Sequence, residues 1–179
     1  MRRHAAGGFT LIEVLVALFL LAVGIAGAAA TQTLALRTRH QSSLLSSGVQ
    51  LASTLADRMR ANAAQMALPD GANPYLQFDY DARIDGAPPA PGALCFGATQ
   101  CDAAQMAAFD LHETALAVQA GFPDGRVRVC RDAGGWDAAA GALSWDCAPG
   151  AGAPIVVKLG WHVPGQQGSA GPRLAMVVP

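Results

Sequence analysis

The amino-acid sequence predicts an α+β protein. A long N-terminal helix, transmembrane in its first half, packs its second half on a small antiparallel β-sheet head. Three observations predict this. Residues 9–30 hold one charge, Glu13, and no proline occurs before Pro69. Apolar positions then recur at steps of three or four through residue 66, the mark of an amphipathic helix. Beyond residue 125 the pattern changes to alternation, as strands require.

Composition agrees. Hydrophobic residues make up 52% of the 179 and charged residues 14%, against about 25% charged in an ordinary soluble domain. Such a balance excludes disorder of the whole chain, which needs low hydrophobicity and high charge. The length suits one domain with an appendage. The net charge of -1 argues against a nucleic-acid binder working by bulk electrostatics, leaving only local patches open.

The apolar excess begins at Phe9. Uncharged sequence runs for 23 residues from Val14 to Leu36 and ends at Arg37, and roughly 20 residues suffice to cross a ~30 Å hydrocarbon core. Arg2, Arg3 and His4 precede it, so the positive-inside rule places the N-terminus in the cytoplasm and the head outside. A secretory signal has the same basic start and apolar stretch, and the Ala26–Ala30 region offers it small residues for cleavage. Glu13 opposes that alternative. A carboxylate at the centre of a spanning helix costs roughly 2.5–3.5 kcal/mol, and a disposable signal has no reason to carry it. An intramembrane acid calls for a cation.

The run Gly7-Gly8-Phe9-Thr10-Leu11-Ile12-Glu13-Val14-Leu15 resembles the processing site of type IV prepilins and pseudopilins. The resemblance implies cleavage by a prepilin peptidase between Gly8 and Phe9, N-methylation of Phe9, and retention of the apolar stretch. It also implies that Glu13 meets the N-terminal amine of a neighbouring subunit during assembly. Pairing the two charges relieves the cost of each alone in lipid. Gly24 and Gly27 permit close helix approach in a membrane, although glycine is common there in any case.

A continuous helix from about Thr10 to Met66 would measure roughly 85 Å at 1.5 Å per residue. Its second half contains Leu51-Ala52-Ser53-Thr54-Leu55-Ala56-Asp57-Arg58-Met59-Arg60-Ala61-Asn62. This run, at this distance from the cleavage motif, resembles the PilV family of type IV pilus minor pilins. Asp57 and Arg60, three apart, suit a helix-surface charge pair worth a few tenths of a kcal/mol; Arg58, adjacent to Asp57, points elsewhere, and the combination has no evident physical reason. The expected organisation is a leader at 1–8, a transmembrane and assembly helix at 9–36, its amphipathic continuation at 37–68, and a periplasmic head at 69–179.

In the head, residues 69–93 show little periodicity. Asp79, Asp81 and Asp85 do not fit a calcium loop, because Arg83 and Ile84 occupy its fifth and sixth positions. Asp102 and Gln105 form a capping box for a helix through Ala120, with Met106, Phe109, Leu116 and Ala120 towards the core. Asp110-Leu111 and Phe122-Pro123-Asp124-Gly125 resemble the "D-L-x-x-W … L-P-x-G" pattern of the same family, with Thr114 in place of the tryptophan. Strands are expected at 126–129, 143–147, 155–163 and 174–178, forming a four-stranded antiparallel sheet. In the third, Ile155, Val157, Leu159, Trp161 and Val163 take one face and Lys158, Gly160 and His162 the other.

Four cysteines outside the cytoplasm imply disulfides, with three pairings open. Cys95–Cys101 and Cys130–Cys147 are preferred as sequential pairs, the second closing a hairpin. Strict alternation sets Cys130 and Cys147 on opposite faces, which calls for a bulge or strand-end geometry. No C-x-x-C spacing suggests zinc, no cofactor motif is apparent, and the four histidines are scattered, so neither a metal site nor a catalytic one is expected. The resemblance implies a minor pilin that helps initiate assembly at the pilus tip, supporting adhesion or twitching motility. Its partners would be other minor pilins, the major pilin, the prepilin peptidase, the inner-membrane assembly platform and the lipid bilayer. A minor pseudopilin of type II secretion is the nearest alternative; a membrane-tethered, non-polymerising periplasmic binding domain and a secreted protein lie further off.

Overall fold

A computed structural model of the protein describes Gly8, residues 10–163 and residues 171–179. The first helix, α1, runs from Leu11 to Ala61, 51 residues. It crosses the boundary between two compact units, Met1–Ser43 and Leu44–Pro179. In the first unit every described residue is exposed, and the segment is long and apolar enough to cross a membrane.

In the second unit α1 is a packed helix, burying Gly48, Ala52, Leu55, Ala56 and Met59 along one face. Small residues at three of these positions bring the helix axis close to the sheet. A Cβ on Gly48 would sit 3.0 Å from Leu159 and 3.3 Å from Trp161, so glycine here is a packing requirement. The helix stops earlier than the expected Met66. Asn62 leaves helical geometry and turns its buried amide to donate to the Ala103 carbonyl (2.7 Å) and the Tyr75 hydroxyl (3.2 Å). One further turn, α2 (Ala63–Met66), follows before Pro69.

The sheet has four strands in the order β1-β2-β5-β6: Asp79–Asp81, Arg126–Arg131, Ile155–Gly160 and Leu174–Val178, every neighbour antiparallel. The expected strand at 143–147 is not among them. Ala142–Leu143 (β4) pairs with Trp136–Asp137 (β3) in a separate ribbon, and residues 144–147 leave it. The fourth strand is β1, in a stretch read from sequence as aperiodic. Three residues are too few to alternate visibly. They are held from a distance, by pairing with β2 and by a two-pronged Arg126–Asp79 contact at 2.9 and 2.8 Å.

The sheet buries both faces of its centre. Val127, Val129, Val157 and Leu159 face the core with α1, as expected. The opposite face, Arg128, Cys130, Val156, Lys158 and Gly160, was expected to be the wetter one, and β5 ends at Gly160, short of the expected residue 163. Residues 144–148 cover that face instead: the Trp145 ring lies 2.7 Å from where a Gly160 Cβ would stand, and Arg126 stacks 4.6 Å above the ring centroid.

Helix α3 (Ala103–Gly121) starts with the expected capping box: Gln105 N–H donates to Asp102 at 2.8 Å and Asp102 N–H to Gln105 at 3.0 Å. Its buried face is rotated from the one expected. Met106, Leu116 and Ala120 are exposed, whereas Ala107, Phe109, Asp110, Thr114, Ala115 and Val118 are buried. Phe109 is buried as expected, but the rest of the buried face falls on the neighbouring positions, where Ala107 and Ala115 allow close approach.

Candidate functional site

The apolar end of α1 starts at Thr10. The amide N–H of Glu13 donates to the Thr10 carbonyl at 3.1 Å. Thr10 and Glu13 also meet reciprocally: the Glu13 N–H lies 3.4 Å from the Thr10 hydroxyl oxygen, and the Thr10 N–H lies 3.4 Å from the Glu13 carboxylate. These contacts are long for hydrogen bonds, yet their pattern is that of a capping box. The Thr-x-x-Glu spacing was readable in the sequence as such a box, a signal missed beside the membrane question. Glu13 therefore stands in the first turn, where the helix dipole favours a negative charge.

Phe9, the residue expected to become the methylated N-terminus, lies outside the described residues, as do residues 1–7. Gly8, the residue expected before the cut, is exposed, and a Cβ placed on it would meet nothing within 4 Å. Gly24 and Gly27 are likewise unconfined. The fold of this chain gives no reason for glycine at any of the three positions.

The head accounts for the run at 55–62. Asp57 and Arg60 pair on the exposed side of the helix, as their spacing suggests. Arg58 points across to α3, where it meets Asp110 at 3.2 Å. The same buried carboxylate accepts a hydrogen bond from the Tyr75 hydroxyl at 2.7 Å, and Tyr75 accepts from Asn62. Burial, reinforced by the hydrogen bond to Asp110, raises the Tyr75 phenol well above its ordinary range, so it remains a donor. Met59, next to Arg58 in the run, is fully buried in the hydrophobic core. Thus Arg58 and Asn62 of the first motif reach Asp110 and Tyr75 elsewhere in the head. Two motifs of opposite charge, each unexplained alone, were the clue available in the sequence.

A second polar cluster holds the covering segment. Lys158 and Asp132 have fully buried side chains and pair at 2.6 Å. The Lys158 ammonium also donates to the carbonyls of Ser144 (2.8 Å) and Asp146 (2.6 Å). Asp132 accepts from the N–H groups of Gly134 and Ala148, each at 3.0 Å. Burial opposes the Asp132 charge, but Lys158 and these two donors outweigh it and hold the carboxyl below its usual range. Cys147 lies inside the segment so fixed and is bonded to Cys130 on the covered face, with Cα atoms 6.4 Å apart. No bulge is needed, because Cys147 is not in a strand of the sheet. Cys95 and Cys101 form the other bridge, Cα atoms 5.8 Å apart, closing a loop whose Phe96 meets Phe109 edge-on.

Residues 3–29 match the prokaryotic N-terminal methylation motif. Over that stretch the chain is similar to type IV prepilins. The motif marks it as a substrate for prepilin processing, and the long helix followed by a small antiparallel sheet is the matching architecture. No curated protein and no solved structure matches this pilin-like chain.

Proposed function

We propose that the chain is a minor pilin of the PilV type, cut between Gly8 and Phe9, methylated at Phe9, and assembled through Glu13 into a type IV pilus. The observation that carries the reading is the methylation motif over residues 3–29, running into a helix that is uncharged and exposed throughout from Val14 to Leu36. A segment of this kind needs two solvents in turn: lipid before assembly, then the apolar flanks of other pilin helices. Unconfined glycines at 24 and 27 suit the second state, since they leave backbone accessible to a neighbour.

Glu13 is the proposed assembly residue. A carboxylate at a helix start, loosely held by Thr10, is free to exchange that contact for the ammonium of an adjacent subunit. The pairing removes two unsatisfied charges from an apolar environment at once. The head, at the periplasmic end of the proposed topology, would present its surface to other minor pilins or the major pilin near the tip. The reciprocal fit of the residue 55–62 run with Asp110 supports the PilV-level reading, because both stretches belong to the resemblance.

Deletion of the gene tests the role. Loss of surface pili with normal protein secretion is the expected outcome. Normal piliation with blocked secretion would replace the reading by a type II pseudopilin. A Glu13→Ala chain that is processed and stable yet fails to restore pili is also expected; full restoration would refute the assembly role of Glu13.

A further inference from the structure

Past the apolar segment, α1 carries Arg37, Arg39 and His40 within one turn, all exposed. Among the described residues neither arginine makes an ion pair. On a helix a cation can pair with an acid three or four residues away. Here none exists, since no Asp or Glu occurs between Glu13 and Asp57. Two permanently charged, exposed side chains are thus open to a partner outside the chain.

Three features define that partner. The first is depth: Arg37 follows Glu13 by 24 positions, or ~36 Å at 1.5 Å per residue. A hydrocarbon core of ~30 Å fits between them with the guanidinium at headgroup level. The second is direction. At about 100° per residue, Arg39 points roughly 160° away from Arg37, with His40 between them. A protein partner docks on one side of a helix; a plane of phosphates surrounds it. The third is the polarity just before the arginines. Thr31 and Thr33 donate their hydroxyls to the helix carbonyls of Ala28 and Ala29 at 2.9 and 3.0 Å, and Thr38, between the two arginines, donates to that of Leu34 at 3.1 Å. These hydroxyls are satisfied internally, which lowers the cost of resting this stretch of the helix in lipid.

We propose that Arg37 and Arg39, assisted by His40, form a collar that binds the phosphates of anionic phospholipid headgroups in the leaflet farther from Glu13. The proposal rests on the reading of residues 9–36 as membrane-spanning. On that reading, removal of residues 1–8 takes Arg2 and Arg3 from the near side. The collar then holds the only Lys or Arg residues between Phe9 and Asp57. Processing therefore shifts the basic hold on the bilayer from the near leaflet to the far one, the side towards which a subunit is withdrawn.

The test is solid-state NMR on the full chain in vesicles of phosphatidylcholine with phosphatidylglycerol. Distances are read from lipid phosphorus to the guanidinium carbons, assigned through Arg37→Gln and Arg39→Gln, while Leu20 and Val23 methyls report acyl-chain contact. Expected is direct contact, about 4 Å, for Arg37 and Arg39, with acyl contact for the methyls. Selectivity for spin-labelled phosphatidylglycerol over phosphatidylcholine should fall roughly fivefold for each arginine removed. Acyl contact without phosphorus contact overturns the collar alone. Loss of acyl contact overturns the spanning reading, and the collar with it.

Discussion

Asp110 joins three elements through one carboxylate: Arg58 from α1, Tyr75 from the 3-10 turn at Pro74–Gln77, and its own helix α3. Asp110→Ala leaves a buried phenol unsatisfied and a guanidinium without its partner. The head should lose about 2–3 kcal/mol, read as a shift of the urea midpoint. Arg58→Ala should cost less, about 1 kcal/mol, because Arg58 is a third exposed and solvent replaces part of what it loses. Equal losses for the two would contradict the central place given to Asp110. Gly48 makes a different demand at the same scale. Gly48→Val puts a branched side chain where a Cβ alone already stands 3.0 Å from Leu159, and should destabilise the head by roughly 1–3 kcal/mol.

The strand β5 and the segment at 144–148 depend on one another through Lys158. Lys158→Met keeps much of the volume but strands Asp132 and two carbonyls in a dry site. A loss of about 3–5 kcal/mol is expected by chemical denaturation, with slower formation of the Cys130–Cys147 bridge on reoxidation, followed by mass spectrometry. The same pair gives the head an acid limit. Since the folded Asp132 carboxyl lies below its ordinary value, its contribution is complete above the unfolded pKa of about 4. That contribution is lost as pH falls towards the folded value. Urea midpoints should therefore decline below pH 4, and a flat profile from pH 5 to 2 would refute the coupling. At this scale the sequence was partly readable. The α3 capping box and strands β2, β5 and β6 followed from local pattern. Strand β1 did not, since three residues held by Arg126 and β2 leave no periodic trace. The buried second face of β5 was hidden for a related reason: alternation tells which residues share a face, not what distant segment covers it.

The whole chain divides its work between two units, and they were unequally legible. In the apolar unit the methylation motif and the long helix were legible, because both lie in one contiguous stretch. The head could be read only as a class, because its polar brace joins residues 35 to 52 positions apart. Reduction should separate the two consequences. With both disulfides reduced, α1 should retain its membrane contact while the head loses stability. Each bridge closes a short loop, with sequence separations of 6 and 17, and contributes about 2–4 kcal/mol. Urea midpoints and vesicle flotation of the same sample read both effects. The central claim is that the apolar helix is processed at its start and kept. Mass spectrometry of the mature N-terminus tests it most directly. The account predicts a chain beginning with N-methylated Phe9, 171 residues to Pro179. A chain that begins near Thr31, with the helix discarded, would contradict it.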